Sequence, residues 1–345
     1  MMNFNRGTSF AQKTAATIAT ANLREAVAFA VAHWGATATA TLELKSAVAG
    51  GSADDNDSAL TVGESDAEFL DIVRGRWLLG RMQNLRRVPI SLPVNFLSTG
   101  STAYWVGESK GIPLSRTAFT RLTMSPKKLA SITVFSNDLA VSGSGQAIAT
   151  IRDDLEEAGV RSGDLALIDP SNAGSATTPA SITHGAPTIS STGDLADDVE
   201  AALAAFEGSL LTASWIASPR LAAQAGLRSG DRGAAADLGA RGGVLAGLPL
   251  LTSESVPAGT LVLVDAAGIV VVEDGIRVER STNAMVEQDT APTGATDTPT
   301  AATATRVSLF QTDSVAARMI FRINWARARD GSVVVIDNAA YRAAS

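Results

Sequence analysis

The feature that most constrains the fold is a strand-forming stretch that is interrupted by a polar segment and two prolines. Ala103–Val106 is apolar and aromatic and predicts a short strand, whereas Gly107–Ser115 is polar and predicts an exposed turn. Phe119–Phe135 alternates as a strand does, but Pro113 and Pro126 argue against one continuous central strand. The sequence therefore predicts a long two-stranded excursion that returns to the body of the protein.

A long helix is predicted directly after this excursion, from Gln146 to Leu167. Its apolar residues follow the three- and four-residue spacing of one helix face, as in Ile148, Ile151 and Leu155. Charged residues fill the other face. At about 1.5 Å per residue, a helix of about 20 residues spans roughly 30 Å. Gly159 and Gly163 are expected to weaken its second half.

The other predicted elements alternate between helix and strand, which indicates the α+β class. Asp194 is a candidate N-cap for one of the helices. Asp274 and Gly275 form a typical hairpin turn. The predicted helices are 64–81, 195–211 and 219–227, and the predicted strands are 85–97, 214–218, 244–251, 260–264, 269–272, 276–279, 307–310, 316–326 and 332–336.

The composition limits where such a chain can act. Of its 345 residues, 46% are hydrophobic and 18% are charged, so it can bury a large core in roughly two domains. The most apolar stretch, Thr14–Trp34, is interrupted by Asn22, Arg24 and Glu25 and is unsuited to a membrane span or a signal peptide. The chain has no cysteine, so secretion is not supported and a cytoplasmic origin is expected.

The net charge of −7 argues against a dedicated nucleic-acid binder, which is usually basic. An acidic net charge still permits non-specific contact with nucleic acid.

A catalytic or cofactor site finds little support. Gly107–Gly111 matches the G-x-S-x-G pattern around Ser109, but a nucleophile elbow must open a helix, and Pro113 predicts a turn. His33 and His184 are expected to be packing or surface residues. The chain has no Walker loop and no His-x-x-x-His pair, and 143–148 lacks the third glycine of a dinucleotide fingerprint. In the acidic linker 50–57, a calcium loop starting at Asp54 would place Ala59 where glycine is required. No catalytic residue, cofactor or metal is therefore expected.

The loop tip is instead predicted to be a subunit interface. Tyr104 and Trp105 stand beside it, and aromatic residues are enriched among the residues that dominate binding energy. An isolated hairpin is only marginally stable, so this one must lie on another surface, most economically that of a neighbouring protomer. Glu108 would pair with a cation there. The predicted interface residues are Tyr104, Trp105, Glu108, Lys110, Pro113, Arg116, Lys127 and Lys128.

Three segments in this order resemble the major capsid proteins of tailed bacteriophages, which have the Hong Kong 97-type fold. They are YWVGESKGIPLSRTAFTRLTMSPKKLASITVFSNDLA at 104–140, LALIDPSNAG at 165–174 after the long helix, and LFQTDSVAARMIFRINWARARDGSVVVI at 309–336. The resemblance covers residues 65–336. It implies an extended loop, a Pro-Lys-Lys-Leu strand that returns from it, a spine helix and a set of closing strands.

The resemblance also implies a domain organisation. The residues divide into an N-terminal arm (1–60), the start of a peripheral domain (61–98), the extended loop (99–122), the peripheral domain with its spine helix at about 144–167 (123–190), an axial domain (191–280), a flexible loop (281–305), and the closing strands with the C-terminus (306–345).

The implied function is structural. Copies would form hexamers and pentamers that close into an icosahedral shell around double-stranded DNA, which the shell contacts non-specifically. Further partners would be a portal protein and scaffold or decoration proteins, with assembly in the host cytoplasm, location in the virion and no membrane. Three alternatives remain open: an encapsulin-like nanocompartment, a hydrolase that uses Ser109, and a prophage tail or adhesin component.

Overall fold

The structure is a computed structural model in which the described residues are 12, 16, 23–38, 75–88, 94–99, 102–114, 118–137, 145–229, 238–287 and 306–341. They form helices and strands of an α+β fold. The helices are α1 (Leu23–Trp34), α2 (Leu78–Arg81), α3 (Gly145–Ile168), α4 (Leu195–Ala205) and α5 (Pro219–Ser229).

The strands are β1 (Arg86–Val88), β2 (Val94–Thr99), β3 (Ala118–Leu122), β4 (Lys127–Ser136), β5 (Thr188–Ser190), β6 (Ala213–Ala217), β7 (Gly243–Leu245), β8 (Leu248–Thr252), β9 (Leu261–Asp265), β10 (Ile269–Ser281), β11 (Met285–Glu287), β12 (Arg306–Ser308), β13 (Ser314–Arg327) and β14 (Val333–Asp337). Short 3₁₀ turns cover Leu210–Thr212, Ala266–Gly268 and Asp330–Ser332.

The chain divides into two compact units. The first comprises Met1–Gly75, Leu129–Gly159 and Gly275–Phe321. The second comprises Arg76–Lys128, Val160–Asp274 and Arg322–Ser345.

The second unit is built on a six-stranded sheet in the order β5-β14-β9-β6-β8-β7. β6 and β9 are buried at every position, and β14 is buried at four of its five positions. Continuous apolar runs of this kind are typical of strands that are covered on both faces. The sequence predictions for these three strands are confirmed.

Helices α4 and α5 pack on this sheet and complete its core. Trp215 of β6 is buried among residues of both helices, including Val199 of α4 and Leu221 of α5. The Asp194 carboxylate accepts a hydrogen bond from the Ala196 N–H at 2.8 Å, which confirms it as the N-cap of α4. α4 ends at Ala205, earlier than predicted, because Phe206 turns into an extended conformation.

A buried carboxylate fixes the turn that follows α4. Asp265 accepts hydrogen bonds from the Ser209 N–H at 3.0 Å and from the Thr212 hydroxyl at 2.6 Å. It also accepts one from the Ala267 N–H at 3.0 Å. A buried charge is tolerated when hydrogen bonds satisfy it, so this residue holds two neighbouring turns in place.

Asp198 has the same role at the start of α4. It accepts hydrogen bonds from the Thr192 N–H at 2.8 Å and from the Tyr341 hydroxyl at 3.1 Å, and a further one from the Ser191 hydroxyl. Burial, together with the negative charge of Asp198, raises the pKa of Tyr341. Tyr341 is therefore a neutral hydrogen-bond donor, and it fastens the residues after β14 to α4.

The long helix is confirmed as α3, although Gly163 has an effect beyond the predicted weakening. A Cβ on Gly163 would lie 2.5 Å from the Trp77 ring, so the absence of a side chain lets the indole pack against the helix. Trp77 also meets Trp325 edge-on, with ring centroids 6.4 Å apart. Gly163 thus contributes to packing and does not merely weaken the helix.

The helix predicted over 64–81 is interrupted at Trp77, which has an extended backbone, and residues 64–74 lie outside the described part of the chain. The residue that follows the interruption, Leu78, is hydrogen-bonded to α3. The buried carboxylate of Asp164 accepts hydrogen bonds from the Leu78 N–H at 2.9 Å and from the Ser253 hydroxyl at 2.6 Å. Asp164 therefore joins the start of α2 and the loop after β8 to α3.

The C-terminus of α3 is closed by the loop after it, whose Gly/Ser/Thr-rich sequence predicts only an irregular segment. Side chains of the loop donate to the last carbonyls of the helix, which have no partner within it. Asn172 donates to the Ala166 carbonyl at 2.8 Å, Ser181 to the Leu167 carbonyl at 2.7 Å, and Thr183 to the Ile168 carbonyl at 2.7 Å.

A second sheet has the order β1-β10-β13-β4 among the described strands. The hairpin predicted around Asp274-Gly275 is wrong, because β10 is one strand of 13 residues. Gly275 takes a positive φ of 75° within this strand, a conformation that glycine adopts without a steric cost. Asp274 forms an ion pair at 3.4 Å with Arg322 on β13, so its side chain serves the sheet and not a turn.

The predicted arm and flexible loop are only partly described. Within 1–60, α1 buries Ala26 and Ala30, whereas the linker 50–57 lies outside the described residues. Within 281–305, residues 288–305 lie outside them, and β11 before this gap pairs antiparallel with β12 after it. Residues 230–237 also lie outside the described part of the chain.

The two glycines of α3 provide a matched test of packing. Gly163→Ala is expected to lower the free energy of unfolding by about 1–3 kcal/mol, because its Cβ would overlap the Trp77 ring. Gly159→Ala is expected to raise it by about 0.5–1 kcal/mol through helix propensity, because the nearest atom to its Cβ would be Met319 Cε at 3.9 Å. Urea denaturation of both variants checks this, and equal shifts would contradict the packing role of Gly163.

Asp164 predicts a pH dependence of stability. Burial raises its pKa from 3.8 to about 6, although hydrogen bonds from Ser253 and Leu78 and the charge of Arg81 lower it. Between pH 4 and 6 the folded state retains a proton that the unfolded state has released. The contribution of Asp164 to stability is therefore full below about pH 4 and falls by roughly 3 kcal/mol as the pH rises to about 6.

The measurement is the free energy of unfolding of wild type minus that of Asp164→Asn, determined from pH 3.5 to 7.5. This difference is expected to decline between pH 4 and 6 and to be level above pH 7. Asp330→Asn, at a fully exposed carboxylate, is the matched control for the loss of one aspartate at the surface. A flat difference for Asp164→Asn would show that its pKa is not raised.

Candidate subunit interface

A two-stranded excursion is present, but its first strand is β2 and not the predicted Ala103–Val106. β2 and β3 pair antiparallel, with Val94 opposite Leu122 and Leu97 opposite Phe119, and the register shifts between Leu97 and Thr99. β4 begins after a break at residues 123–126, as Pro126 predicts. The strand predicted at Ala103–Val106 is absent, because no described strand pairs with this segment.

The segment from Thr102 to Leu114, here called the tip loop, is exposed at every residue. Trp105 is fully exposed, and Ile112 and Leu114 are 81% and 98% exposed. Monomeric soluble proteins rarely leave so many large apolar side chains together in water, and such groups mark interaction surfaces. The tip loop is therefore a candidate surface for interaction with another protein chain.

The turn at the end of the tip loop is held by a hydrogen bond from the Lys110 N–H to the Gly107 carbonyl at 3.2 Å. Ser109 has a φ of 59°, in the left-handed region. The residues after it, 110–114, are not helical, so the nucleophile elbow that the G-x-S-x-G pattern requires is not formed.

The predicted interface residues divide by location. Tyr104, Trp105, Glu108, Lys110 and Pro113 lie together on the tip loop, and all are exposed. Lys128 is exposed on β4, whereas Lys127 points to the other side of that strand. Arg116 lies outside the described residues.

The Lys127 side chain makes hydrogen bonds within its own unit. Its ammonium donates hydrogen bonds to the Thr178 carbonyl at 3.0 Å and to the Ser175 carbonyl. It therefore fastens the loop after α3 to β4. For Lys128, no ion pair is found in the described part of the chain, which leaves its charge available to a partner.

Several exposed apolar residues were not included in the sequence prediction. Ile112 and Leu114 flank Pro113 in an otherwise polar segment, and this contrast is the signal that would have identified them. Ile132 and Val134 on β4 were expected to be ordinary strand residues, but they are 58% and 46% exposed. Their exposure depends on which face of the strand is covered, which the alternation alone does not reveal.

Each of the two histidines contacts a nearby backbone carbonyl. His33 stacks on Phe29 at a ring distance of 4.0 Å, and its Nδ1 lies 2.9 Å from the Phe29 carbonyl. His184 Nδ1 lies 3.0 Å from the Pro170 carbonyl.

In the described residues, no three His, Cys, Asp or Glu side chains come together in a way that would hold a metal ion. Of the helices that the structure describes, none is long and apolar enough to cross a membrane.

Comparison with known proteins identifies the family. The model of the phage capsid family matches residues 80–338, which is most of the chain and includes the tip loop, α3 and both sheets. The chain belongs to the phage capsid family. The resemblance predicted from the order of the three sequence segments is thereby confirmed.

A related sequence supports the assignment. This capsid protein is 35% identical over 298 residues to a capsid polyprotein of Pseudomonas phage PAJU2. The match covers 81% of the chain and 44% of that polyprotein, so the chain spans less than half of the length of this relative.

Solved structures support the fold. One from Gordonia phage Cozz matches with a TM-score of 0.52 at 19% identity, over 78% of this chain and 87% of that one. Another, from Microbacterium phage Oxtober96, matches with a TM-score of 0.51 at 19% identity, over 74% and 89% of the two chains. The predicted α+β, Hong Kong 97-type capsid fold is confirmed.

The neighbouring lysines provide a matched test of their different environments. Lys127→Met is expected to lower the free energy of unfolding of the unassembled protein by about 1 kcal/mol, because two hydrogen bonds to carbonyls are lost. Lys128→Met is expected to change it by less than about 0.5 kcal/mol, as is usual for exposed residues. Chemical denaturation measures both, and a larger effect of Lys128→Met would contradict this assignment.

Proposed function

We propose that this capsid protein is a major capsid protein that assembles into hexamers and pentamers and closes an icosahedral shell around double-stranded phage DNA. The observation that carries the proposal is the tip loop, where Tyr104, Trp105, Ile112 and Leu114 are exposed around a single turn. Removal of such groups from water is favourable, and another copy is the partner that is always present in a shell.

The tip loop is the proposed subunit interface. Tyr104, Trp105 and Pro113 provide apolar contact, and Glu108 and Lys110 provide charges at the turn. Lys128 belongs to the proposed interface through its exposed position on β4. Lys127 and Arg116 complete the set proposed from sequence, although the hydrogen bonds of Lys127 support a role within the subunit.

The domain organisation of the family is proposed for this chain as well. The arm is 1–60, the extended loop is 99–122, the peripheral domain contains 61–98 and 123–190 with α3 as its spine, and 281–305 is a flexible loop. The axial domain is assigned to 191–280 and extended by β5 and β14, because both pair within the six-stranded sheet. The remainder of 306–345 belongs to the peripheral domain.

We propose a structural role without catalysis. The chemistry of the tip loop supports this, since Ser109 is in a turn that does not lead into a helix, and both histidines face backbone carbonyls. A serine hydrolase would need a base within hydrogen-bond reach of its nucleophile.

The remaining partners follow from the proposed shell. A portal protein and scaffold or decoration proteins would join the shell, which is part of the virion and assembles in the host cytoplasm. The net charge of −7 fits a wall that contacts DNA only non-specifically. Stability would come from many modest contacts per copy, because closure makes each later contact effectively intramolecular.

Trp105 provides the direct test of assembly. Trp105→Ala is expected to raise the protein concentration needed for assembly about tenfold or more, because loss of an aromatic interface anchor costs about 2 kcal/mol. Trp105→Phe should assemble close to wild type. Light scattering measures the threshold, and negative-stain electron microscopy identifies rings and closed shells.

A separate control tests whether the variant still folds, since every residue of the tip loop is exposed and Trp105 is not part of the described core. Thermal unfolding of the unassembled Trp105→Ala variant should match that of wild type. A wild-type protein that stays monomeric at high concentration, with scaffold partners supplied, would contradict the proposed function. Normal assembly of Trp105→Ala would remove the tip loop from the interface.

A further inference from the structure

The chain contains two Asp-Gly dipeptides, Asp274-Gly275 and Asp330-Gly331. In such a pair the main-chain nitrogen of the glycine can attack the side-chain carboxyl group of the aspartate, because glycine has no Cβ to shield that nitrogen. The product is a succinimide ring. The two dipeptides are chemically identical, so their surroundings determine which of them reacts.

Asp274-Gly275 is restrained by a sheet. Both residues belong to β10, which lies between β1 and β13 in the sheet order. The Asp274 carboxylate forms an ion pair with Arg322 of β13 at 3.4 Å. Ring closure requires the aspartate side chain to rotate onto its own main chain, and the paired strand and the ion pair both oppose this rotation.

Asp330-Gly331 lies in the 3₁₀ turn Asp330–Ser332, which connects β13 to β14. The Asp330 side chain is fully exposed, and its ion pair with Arg327 spans 3.8 Å. The Arg327 guanidinium also donates to two backbone carbonyls of the loop before β5. Ion pairs of exposed side chains are weak, so this one restrains the carboxyl group little, and the group can rotate toward the Gly331 nitrogen.

Packing requires glycine at position 331. A Cβ there would lie 2.6 Å from both the Cβ and an oxygen of the Glu207 side chain. The Gly331 carbonyl also accepts a hydrogen bond from the Glu207 N–H at 3.1 Å, which holds the two main chains together. A larger residue would shield its nitrogen and slow ring closure, but the contact with the Glu207 Cβ leaves no space for one. The packing of this turn therefore retains the reactive pair.

We propose that Asp330 is a site of spontaneous isomerisation to isoaspartate, with water as the only co-reactant. In the first step a bond forms between the Gly331 nitrogen and Asp330 Cγ, and the carboxyl hydroxyl leaves as water together with the amide proton. In the second step water breaks one of the two C–N bonds of the ring. Cleavage at Cγ restores aspartate, whereas cleavage at the main-chain carbonyl carbon leaves isoaspartate, with the chain running through the side chain.

Isoaspartate lengthens the main chain of the turn by one methylene group, because Cβ becomes part of the chain. Ser332 is fully buried, and its hydroxyl donates to the Arg329 carbonyl at 2.6 Å, so the turn has little room for an extra atom. β14 follows directly, and its residues from Val333 to Ile336 are buried. Isomerisation is therefore expected to weaken the entry into this core strand.

The reaction requires no assembly, so the sample is the unassembled full-length protein. It is incubated at mildly acidic pH in water enriched in heavy oxygen, sampled over weeks and digested. Each ring opening inserts one heavy oxygen atom, and chromatography separates isoaspartyl from aspartyl peptides. Label and isoaspartate are expected to accumulate at Asp330 at least about tenfold faster than at Asp274, because an exposed turn opens more readily than a paired strand. In urea the two sites should react at similar rates.

Matched variants identify the reacting residue. Asp330→Glu should give no label at position 330, because glutamate would have to form a less favourable, larger ring. Asp274→Glu should leave the labelling of Asp330 unchanged. The thermal stability of wild type should fall as isoaspartate accumulates, whereas that of Asp330→Glu should not.

Three results would overturn the inference. They are equal labelling of the two sites in the folded protein, preferential labelling of Asp274, and an unlabelled Asp330 in the folded protein when the urea sample is labelled at both sites. An equal loss of thermal stability in wild type and Asp330→Glu would overturn the expected effect on β14. Failure of the protein to form shells would contradict the proposed function and leave this inference unaffected.

Discussion

The packing of the second unit depends on the contacts that α3 makes with other segments at two adjacent residues, Gly163 and Asp164. At Gly163 the absence of a side chain admits the Trp77 ring, and at Asp164 a buried carboxylate binds the Leu78 N–H and the Ser253 hydroxyl. These partners are far from α3 in the sequence, so the contacts join distant segments of the chain. Burial of a carboxylate costs free energy, and the raised pKa of Asp164 shows that its hydrogen bonds offset this cost only in part. The same hydrogen bonds specify one arrangement of the segments. The six-stranded sheet is then fixed to α3 through the loop after β8.

The sequence predicted those parts of the fold that local patterns determine. The apolar runs of β6, β9 and β14, the cap at Asp194 and the spacing of α3 all depend on neighbouring residues, and all are confirmed. The predictions were wrong where a residue distant in the sequence determines the local structure. Asp274 is typical of a turn by sequence alone, but in the structure it pairs with Arg322 on β13. The sequence around Trp77 predicts a helix, but in the structure the helix is interrupted there and the Leu78 N–H donates to Asp164.

The candidate interface was predictable in part for a similar reason. Aromatic residues beside a polar turn identify the tip loop, because that contrast is local. The apolar residues of β4 are not identifiable in this way, since Leu129 and Phe135 on one face resemble Ile132 and Val134 on the other. Only the position of α3 determines which face is covered. The comparisons contribute the family and the fold, while the roles of individual side chains rest on the structure of this chain.

The neighbouring residues Lys127 and Lys128 show how one strand divides its side chains between contacts within the subunit and the exposed surface. Successive strand residues point to opposite faces, so the first lysine binds carbonyls of its own unit and the second faces solvent. The apolar surface is divided similarly, into side chains buried when the chain folds and side chains left exposed on the tip loop and β4. Because the described part of the subunit does not bury the exposed set, its burial remains available to the association that we propose. A shell protein requires this division, since a subunit that satisfied its own strand edges would be stable but would have no reason to join others.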